Sequence, residues 1–417
     1  MHKDLSSFAT RLRGLISSLV AAEVTRLPST VPDGTNNEPP HVGCYTDDFS
    51  ALALELFALQ FKHNPAYRKI CVARKLTPAT ITHWTQIPAV PTAAFKELEL
   101  TSLAPDERIA VFHSSGTTEQ KPSRHFHSAE SLAVYEAALI SWFLDNVGAD
   151  LRFTIYDLRL VCLTPPPALV PHSSLVHMFE TIRQKTGASE TVFVGKLADD
   201  GAWTLDFAAT MAALNSSLAT RHPSLLLGTA FSFVHLLDHL VERDLRVELP
   251  PGSRVMETGG YKNRSRTLPK DELHALITER LGVPRENILC EYGMSELSSQ
   301  AYDGVRPSPG AATFYLRAAS DLPDANGKRA LLRPGRAHSG SGIFHFPPWA
   351  RVQIISPESG REVAEGETGL IRVFDLANVF SVAAIQTEDL GVRRGDGFEL
   401  VGRAQLAEPR GCSLMAA

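Results

Sequence analysis

Short β-prone runs that alternate with amphipathic helical stretches restrict this chain more than any other feature. Ile109–His113 (IAVFH) reads as an apolar strand, followed by the polar loop Ser114–Ser123 and a helix over Glu130–Asn146. The order repeats. Leu160–Leu163 runs into Pro165-Pro166-Pro167, Thr191–Val194 is another β-rich run, and Leu225–Leu227 precedes Gly228-Thr229 and the apolar helix Phe231–Val241. Arg254–Glu257 then leads into Gly259-Gly260 and a helix over Asp271–Leu281. Strands separated by helices predict an α/β fold built on a largely parallel sheet. Upstream, Phe8, Leu12, Leu15 and Leu19 fall at helical spacing, Pro28–Asp48 reads as a loop, and Ala51–His63 reads as a helix. From about Ala312 the texture changes to short β-prone segments: Phe314–Leu316, Gly342–Phe346, Arg351–Ile355, Gly369–Phe374 and Phe398–Val401. We therefore expect an α/β body over residues 1–310 and a β-rich subdomain over 311–417.

Charge excludes some functions. The balance of 41 basic and 46 acidic residues, 41 − 46 = −5, supplies no general field for nucleic acid or anionic lipid. Cys44, Cys71, Cys162, Cys290 and Cys412 lie far apart, without CxxC pairs, which predicts free thiols in a reducing compartment. Arg11 and Arg13 precede the apolar stretch Leu15–Ala22 as in a signal peptide, but Ser17 and Ser18 interrupt it. No apolar run is long enough to span a bilayer, and the expected location is cytoplasmic.

Three polar segments carry the chemistry. Ser114-Ser115-Gly116-Thr117-Thr118-Glu119-Gln120-Lys121 offers backbone N–H groups, hydroxyls and one cation to polyanionic oxygens. Its spacing is not that of a Walker loop, and alone it reads equally as a solvated turn. In Glu291-Tyr292-Gly293-Met294-Ser295-Glu296, the tyrosine suits a base, the serine a phosphate and Glu296 a Mg²⁺ ion. Standing alone, that run is equally a turn with a helix cap. Thr387-Glu388-Asp389-Leu390-Gly391, Asp396-Gly397 and Gly402-Arg403 place a carboxylate for two ribose hydroxyls beside an arginine for sugar or phosphate.

Taken in order, these runs resemble those of the adenylate-forming superfamily: acyl-CoA synthetases, peptide-synthetase adenylation domains and luciferases. The resemblance covers about Ile109 to the C-terminus. It implies the large N-terminal-type domain of that superfamily with a C-terminal β subdomain, and ATP and Mg²⁺ as cofactors. It also implies that Ser114, Ser115, Gly116, Thr117, Thr118 and Lys121 form the phosphate loop, and that Gly259 and Gly260 line the adenine and acyl pocket. Glu291, Tyr292, Gly293 and Ser295 would serve the nucleotide, Glu296 the metal, and Asp389 and Arg403 the ribose. Glu119 and Glu388 stand where the superfamily commonly has glycine. Only 417 − 403 = 14 residues follow Arg403, so the mobile domain and its catalytic lysine are expected to be absent. This layout is similar to that of LuxE-type acyl-protein synthetases, which carry the acyl group on a cysteine near the C-terminus.

Cys412 matches that position, and Arg410 beside it favours a thiolate in a terminal segment able to visit two sites. Gly228, Thr229 and Phe231 suit the wall of an acyl pocket as well as ordinary core packing. His235 and His239 have metal-ligand spacing without a third ligand, and Lys262–Arg266 reads as a basic turn or an anion contact. The expected reaction is activation of a carboxylic acid to acyl-AMP, then transfer to a thiol, Cys412. A reductase, acyltransferase or carrier protein would take the acyl group. Direct transfer to coenzyme A or a carrier arm, and an inactive adenylate-binding scaffold, are the alternatives.

Overall fold

The structure is a computed structural model; it describes residues 2–22, 44–114, 121–148, 159–188, 190–260, 265–303 and 342–404. In chain order the elements begin with α1 (Lys3–Ala22), α2 (Cys44–His63), α3 (Pro65–Ala73), β1 (Val90–Pro91), α4 (Ala94–Glu97), β2 (Ala110–His113), β3 (Arg124–His127) and α5 (Ala129–Phe143). There follow β4 (Arg159–Cys162), α6 (Ser174–Thr186), β5 (Glu190–Phe193), β6 (Gly195–Leu197), β7 (Trp203–Leu205), α7 (Phe207–Thr220), β8 (Ser224–Thr229) and α8 (Ala230–Glu242). The chain continues through β9 (Arg254–Thr258), α9 (Lys270–Leu281), β10 (Ile288–Tyr292) and β11 (Ala301–Tyr302). It ends in β12 (Ile343–Phe344), β13 (Ala350–Ile355), β14 (Thr368–Asp375), β15 (Ala384–Arg394) and β16 (Gly397–Arg403). Among the described residues no helix is long and apolar enough to cross a membrane.

Local chemistry sets the helix starts. Asn64, Ser128, Ser173, Asp206 and Thr229 each accept a backbone N–H of the first turn with a side-chain oxygen, before α3, α5, α6, α7 and α8. The alternation read from the sequence appears as a sheet ordered β11-β10-β9-β8-β4-β5, in which all pairs are parallel except β10 with β11. Both of its faces are covered. Leu225 and Leu227 of β8 join the core shared with α5 and α6, whereas Leu226 joins the one beneath α8 and α9. That is why this strand reads as an unbroken LLL run.

A second sheet, ordered β12-β16-β15-β14-β13, is antiparallel, and β1 from far upstream pairs parallel to β15. Its core is continuous with that of α1, α2 and α5. The segment 311–341, including Phe314–Leu316, lies outside the described residues.

Two sequence expectations differ from the structure. β2 pairs antiparallel with β3, a strand that the sequence leaves unassigned between the polar loop and the helix that follows. Ser123 N–H donates to Ser114 Oγ at 3.0 Å across the mouth of that loop. In α1, Leu5, Phe8, Ala9, Leu12 and Ile16 form the buried stripe, and Leu15 is 41 % exposed. A helix this long makes the 3.6-residue period, not a strict i,i+3 or i,i+4 step, decide the face.

A buried carboxylate ties the second sheet to the chain that follows β10. Asp375, at the end of β14, accepts Ser298 N–H (2.9 Å) and Ser299 N–H (2.8 Å), the Ser299 hydroxyl (2.8 Å) and Ala377 N–H (2.9 Å). Replacing Asp375 with Ala leaves these donors buried without acceptors, and we expect urea denaturation to show a loss of at least about 3 kcal/mol. A loss under about 1 kcal/mol would mean that the joint is held by other contacts.

Candidate active site

A cleft of about 1180 Å³ opens where the C-terminal ends of the parallel strands meet the β15–β16 edge of the second sheet. Thr229, Thr258 and Glu291 stand side by side on β8, β9 and β10, in register, and all three line it. Ligands of parallel α/β sheets bind at this end. On the opposite side Asp389 and Arg403 are cross-strand partners on β15 and β16, and both reach the cleft.

The segment after β10 forms the floor. Tyr292 donates its hydroxyl to Asp389 Oδ2 at 2.9 Å, and its ring is enclosed by Phe344, Phe346 and Phe398. At 7 % exposure that ring stands behind the wall, and its contribution is to hold Asp389. A Cβ on Gly293 would meet Glu291 Oε1, so that carboxyl lies against the Gly293 backbone. His125 Nδ1–H donates to the Ser295 carbonyl at 2.8 Å, and the Ser123 and Ser295 hydroxyls are 3.4 Å apart. Ser295 in turn donates to Glu296 Oε2 at 2.9 Å, while Asn378 Nδ2 holds the Glu296 carbonyl at 2.9 Å.

Three carboxyl groups on this surface are stressed in the same direction. Burial pushes Glu291 up to about 7, Thr258 opposing through its hydroxyl and nearby Glu257 adding to the shift. Burial also raises Glu296, against hydrogen bonds from Ser123 and Ser295 and the charge of Lys96. Asp389 is raised by burial, with Tyr292 and Arg403 pulling it back. Each charged form would gain from a ligand that supplies hydroxyls or positive charge. Among the described residues no cluster of three or more His, Cys, Asp or Glu side chains is arranged to hold a metal ion. The arrangement fits Mg²⁺ that arrives with phosphate oxygens and takes one protein carboxylate, Glu296.

Several expected residues converge here. Ser114, Thr229, Phe231, Gly259, Glu291, Gly293, Ser295, Glu296, Asp389 and Arg403 line one cavity. Others stand apart. Lys121 is 53 % exposed and faces Glu97 at 3.5 Å on the surface. Gly228 packs against Leu163 and Phe233, and Gly260, exposed with a φ of 103°, does not line the cleft. Glu388, unusual for the resembled superfamily, pairs with Arg403 at 3.1 Å. His239 stacks on Phe207 with ring centroids 4.0 Å apart, and Arg266 binds Asp238, so this helix carries no metal pair. Ser115, Gly116, Thr117, Thr118, Glu119, Lys262 and Cys412 lie outside the described residues.

Sequence reasoning missed three cleft residues. Lys96 on α4 lines the cavity, and its charge acts on Glu296. His113 and His172 stack at 4.6 Å on the same wall. None of them stands in a motif; the TAAFKELEL run around Lys96 carries no local signal, so only the fold brings it to Glu296.

The architecture is that of the adenylate-forming enzymes. Two structures of 2-hydroxyisobutyryl-CoA ligase superpose with TM-scores of 0.60 and 0.58 at 13 % and 12 % identity. These matches cover 90 % and 92 % of this chain and 74 % and 77 % of the ligase chains. Within that class the family is specific. The model of the LuxE acyl-protein synthetases matches residues 46–303, and the chain belongs to that family of acid–thiol ligases. Two long-chain-fatty-acid–luciferin-component ligases are similar over most of their length. That of Aliivibrio fischeri is 22 % identical over 381 residues, covering 88 % of this chain and 87 % of its own; that of Vibrio harveyi is 22 % identical over 378, covering 88 % and 86 %.

Glu291 gives the site a pH signature. Its carboxyl titrates higher in the folded chain than in the unfolded one, so its contribution is fully present below the ordinary carboxylate range and is lost as pH rises through about 7. Between about pH 5 and pH 8 the wild type should therefore lose stability relative to Glu291→Gln, on the order of 3 kcal/mol. Denaturation midpoints of the two proteins against pH test this, and parallel curves would refute the buried-acid assignment.

Proposed function

We propose that this chain activates a carboxylic acid with ATP as an acyl-adenylate and passes the acyl group to a thiol, Cys412. The observation that carries the proposal is the convergence of Ser295 and Glu296 with Asp389 and Arg403 on one cleft in a LuxE-family chain. On this reading Asp389 with Arg403 serves the ribose, and Ser295 with Glu296 serves the phosphates.

In the first step a substrate carboxylate oxygen attacks the α-phosphorus of ATP, and the bond to the β-phosphate breaks as pyrophosphate leaves. Asp389, held by Tyr292, accepts the ribose hydroxyls, and Arg403 exchanges its partner Glu388 for sugar or phosphate oxygens. Lys96 and Ser295 face the phosphates, offsetting the charge that grows on the leaving group. Mg²⁺ bound by Glu296 would neutralise phosphate oxygens during this step. Catalysis here is positioning and electrostatics.

In the second step the thiolate sulfur attacks the acyl carbon and AMP departs, leaving a thioester whose thiol proton has gone to solvent. Burial pushes Cys71 up to about 11 and raises Cys162 and Cys290 as well, and all three are enclosed in the core. Such thiols are poor acyl acceptors. Cys412 beside Arg410 has the opposite setting in sequence. A partner reductase, acyltransferase or carrier protein then receives the acyl group.

Two experiments separate these steps. Lys96→Ala should lower acid-dependent pyrophosphate exchange about tenfold to a thousandfold, and Lys121→Ala by less. Asp389→Asn should chiefly raise KM for ATP, since a ribose contact serves ground and transition states alike. Unchanged kinetics in Lys96→Ala and Asp389→Asn would remove the cleft from the reaction. With ATP, Mg²⁺ and a competent acid, the wild type should gain an acyl group that hydroxylamine releases, and Cys412→Ser should gain none. Labelling of another residue, or efficient turnover with coenzyme A and no labelled protein, would contradict the role of Cys412.

A further inference from the structure

Tyr292 and Glu291 are neighbours on β10, and successive strand residues face opposite sides. Tyr292 faces Asp389 and the second sheet, so Glu291 faces the other way, where its charge is felt by Tyr135 of α5 and by Tyr302. Leu175 and Met178 of α6 line the same cleft as Glu291.

The site beneath is polar and incompletely satisfied. Gln300 lines the cleft at 5 % exposure, and its Oε1 has no hydrogen-bond partner. The point at which a Cβ would stand on Gly293 lies against Glu291 Oε1 and 3.5 Å from Gln300 Cγ, so the carboxyl and the amide side chain flank one position. Glu291 itself is 4 % exposed, and the buried Tyr302 hydroxyl nearby is also unpartnered. The Gln300 amide oxygen and the Tyr302 hydroxyl are already closed to water, so a plain alkyl chain would leave that amide oxygen without a donor.

We infer that the acid this chain activates carries a hydrogen-bond donor, a hydroxyl or an amino group, beyond its carboxylate, and that Glu291 and Gln300 recognise it. The inference rests on the adenylation reading above and names its substrate class. Gln300 Oε1 accepts from either donor. With its carboxyl near neutrality in both forms, Glu291 meets a hydroxyl as a protonated acid and an ammonium as a carboxylate. The similar ligases are named for long-chain fatty acids, so this pocket would set the chain apart from them in substrate.

The test is a series of straight-chain acids of increasing length, each offered unsubstituted, with a hydroxyl and with an amino group on its last carbon. Pyrophosphate exchange and calorimetric binding are measured for each. At the preferred length the wild type should favour a donor-bearing acid over its unsubstituted partner by about tenfold or more. Glu291→Leu and Gln300→Leu should each bring that ratio to about one or below. Glu291→Gln, which keeps the shape, should retain a preference for hydroxyl and lose one for amine, and it decides the matter if the leucine variant does not fold. A wild-type preference for the unsubstituted acid at every length, or calorimetric binding of none of the series, overturns the inference. Binding ranked as expected without exchange would instead contradict the ATP chemistry and leave the recognition by Glu291 and Gln300 standing.

Discussion

The site depends on the grip of Asp375 on the chain that follows β10. A carboxylate buried at the end of β14 takes two successive backbone N–H groups and one hydroxyl from Ser298 and Ser299, at 2.8–2.9 Å. Asn378 extends the same joint, accepting from the Ser298 hydroxyl at 2.7 Å and donating to the Glu296 carbonyl. Gln60 of α2 then holds the Asn378 carbonyl at 2.8 Å, so the N-terminal helices brace the same turn. This network adds to the Tyr302–His345 backbone bonds that also link the two sheets. With it, Glu296 and Asp389 keep a fixed relation although 93 residues separate them (389 − 296).

The same burial that fixes these groups stresses them. Glu291, Glu296 and Asp389 are all pushed upward because the fold removes them from water, and each is partly relieved by a neighbour: Thr258, Ser295 and Tyr292. A preorganised site keeps such groups in place before the ligand arrives, so little reorganisation accompanies reaction. On the proposed reading, ribose hydroxyls and a phosphate-bound cation would complete what the fold leaves incomplete. Arg403 is mostly exposed and is held by an ion pair with Glu388, which on the same reading a nucleotide would displace.

Much of the fold was legible because its signals are local. The LLL run of β8, the glycine pair after β9, and the caps Thr229 and Ser128 mark strand ends and helix starts within a few residues. The runs Glu291–Glu296 and Asp389–Arg403 were legible for the same reason, each being a compact polar string at the end of a strand or along a strand pair. What the sequence hid depends on distant parts of the chain. Nothing near Lys96 indicates that it faces Glu296, and nothing near Asp375 indicates that it binds a turn 76 residues upstream. Strand β3 goes unread in the sequence because RHFH buries two histidines, His125 and His127, where an apolar pattern would have announced a strand. Tyr292 was read as a stacking surface, yet its ring is enclosed and its hydroxyl positions Asp389.

The account stands on a single claim, that one ligand spans the cleft from Asp389 past Glu296 to Glu291. The most direct measurement is a crystal structure of the protein with a non-hydrolysable acyl-sulfamoyl-adenosine. The account predicts ribose hydroxyls on the Asp389 carboxylate, the sulfamoyl group beside Ser295 and Lys96, and the acyl portion directed at Glu291 and Gln300. An adenosine seated away from Asp389, or an acyl portion leaving the cleft on another side, would contradict it.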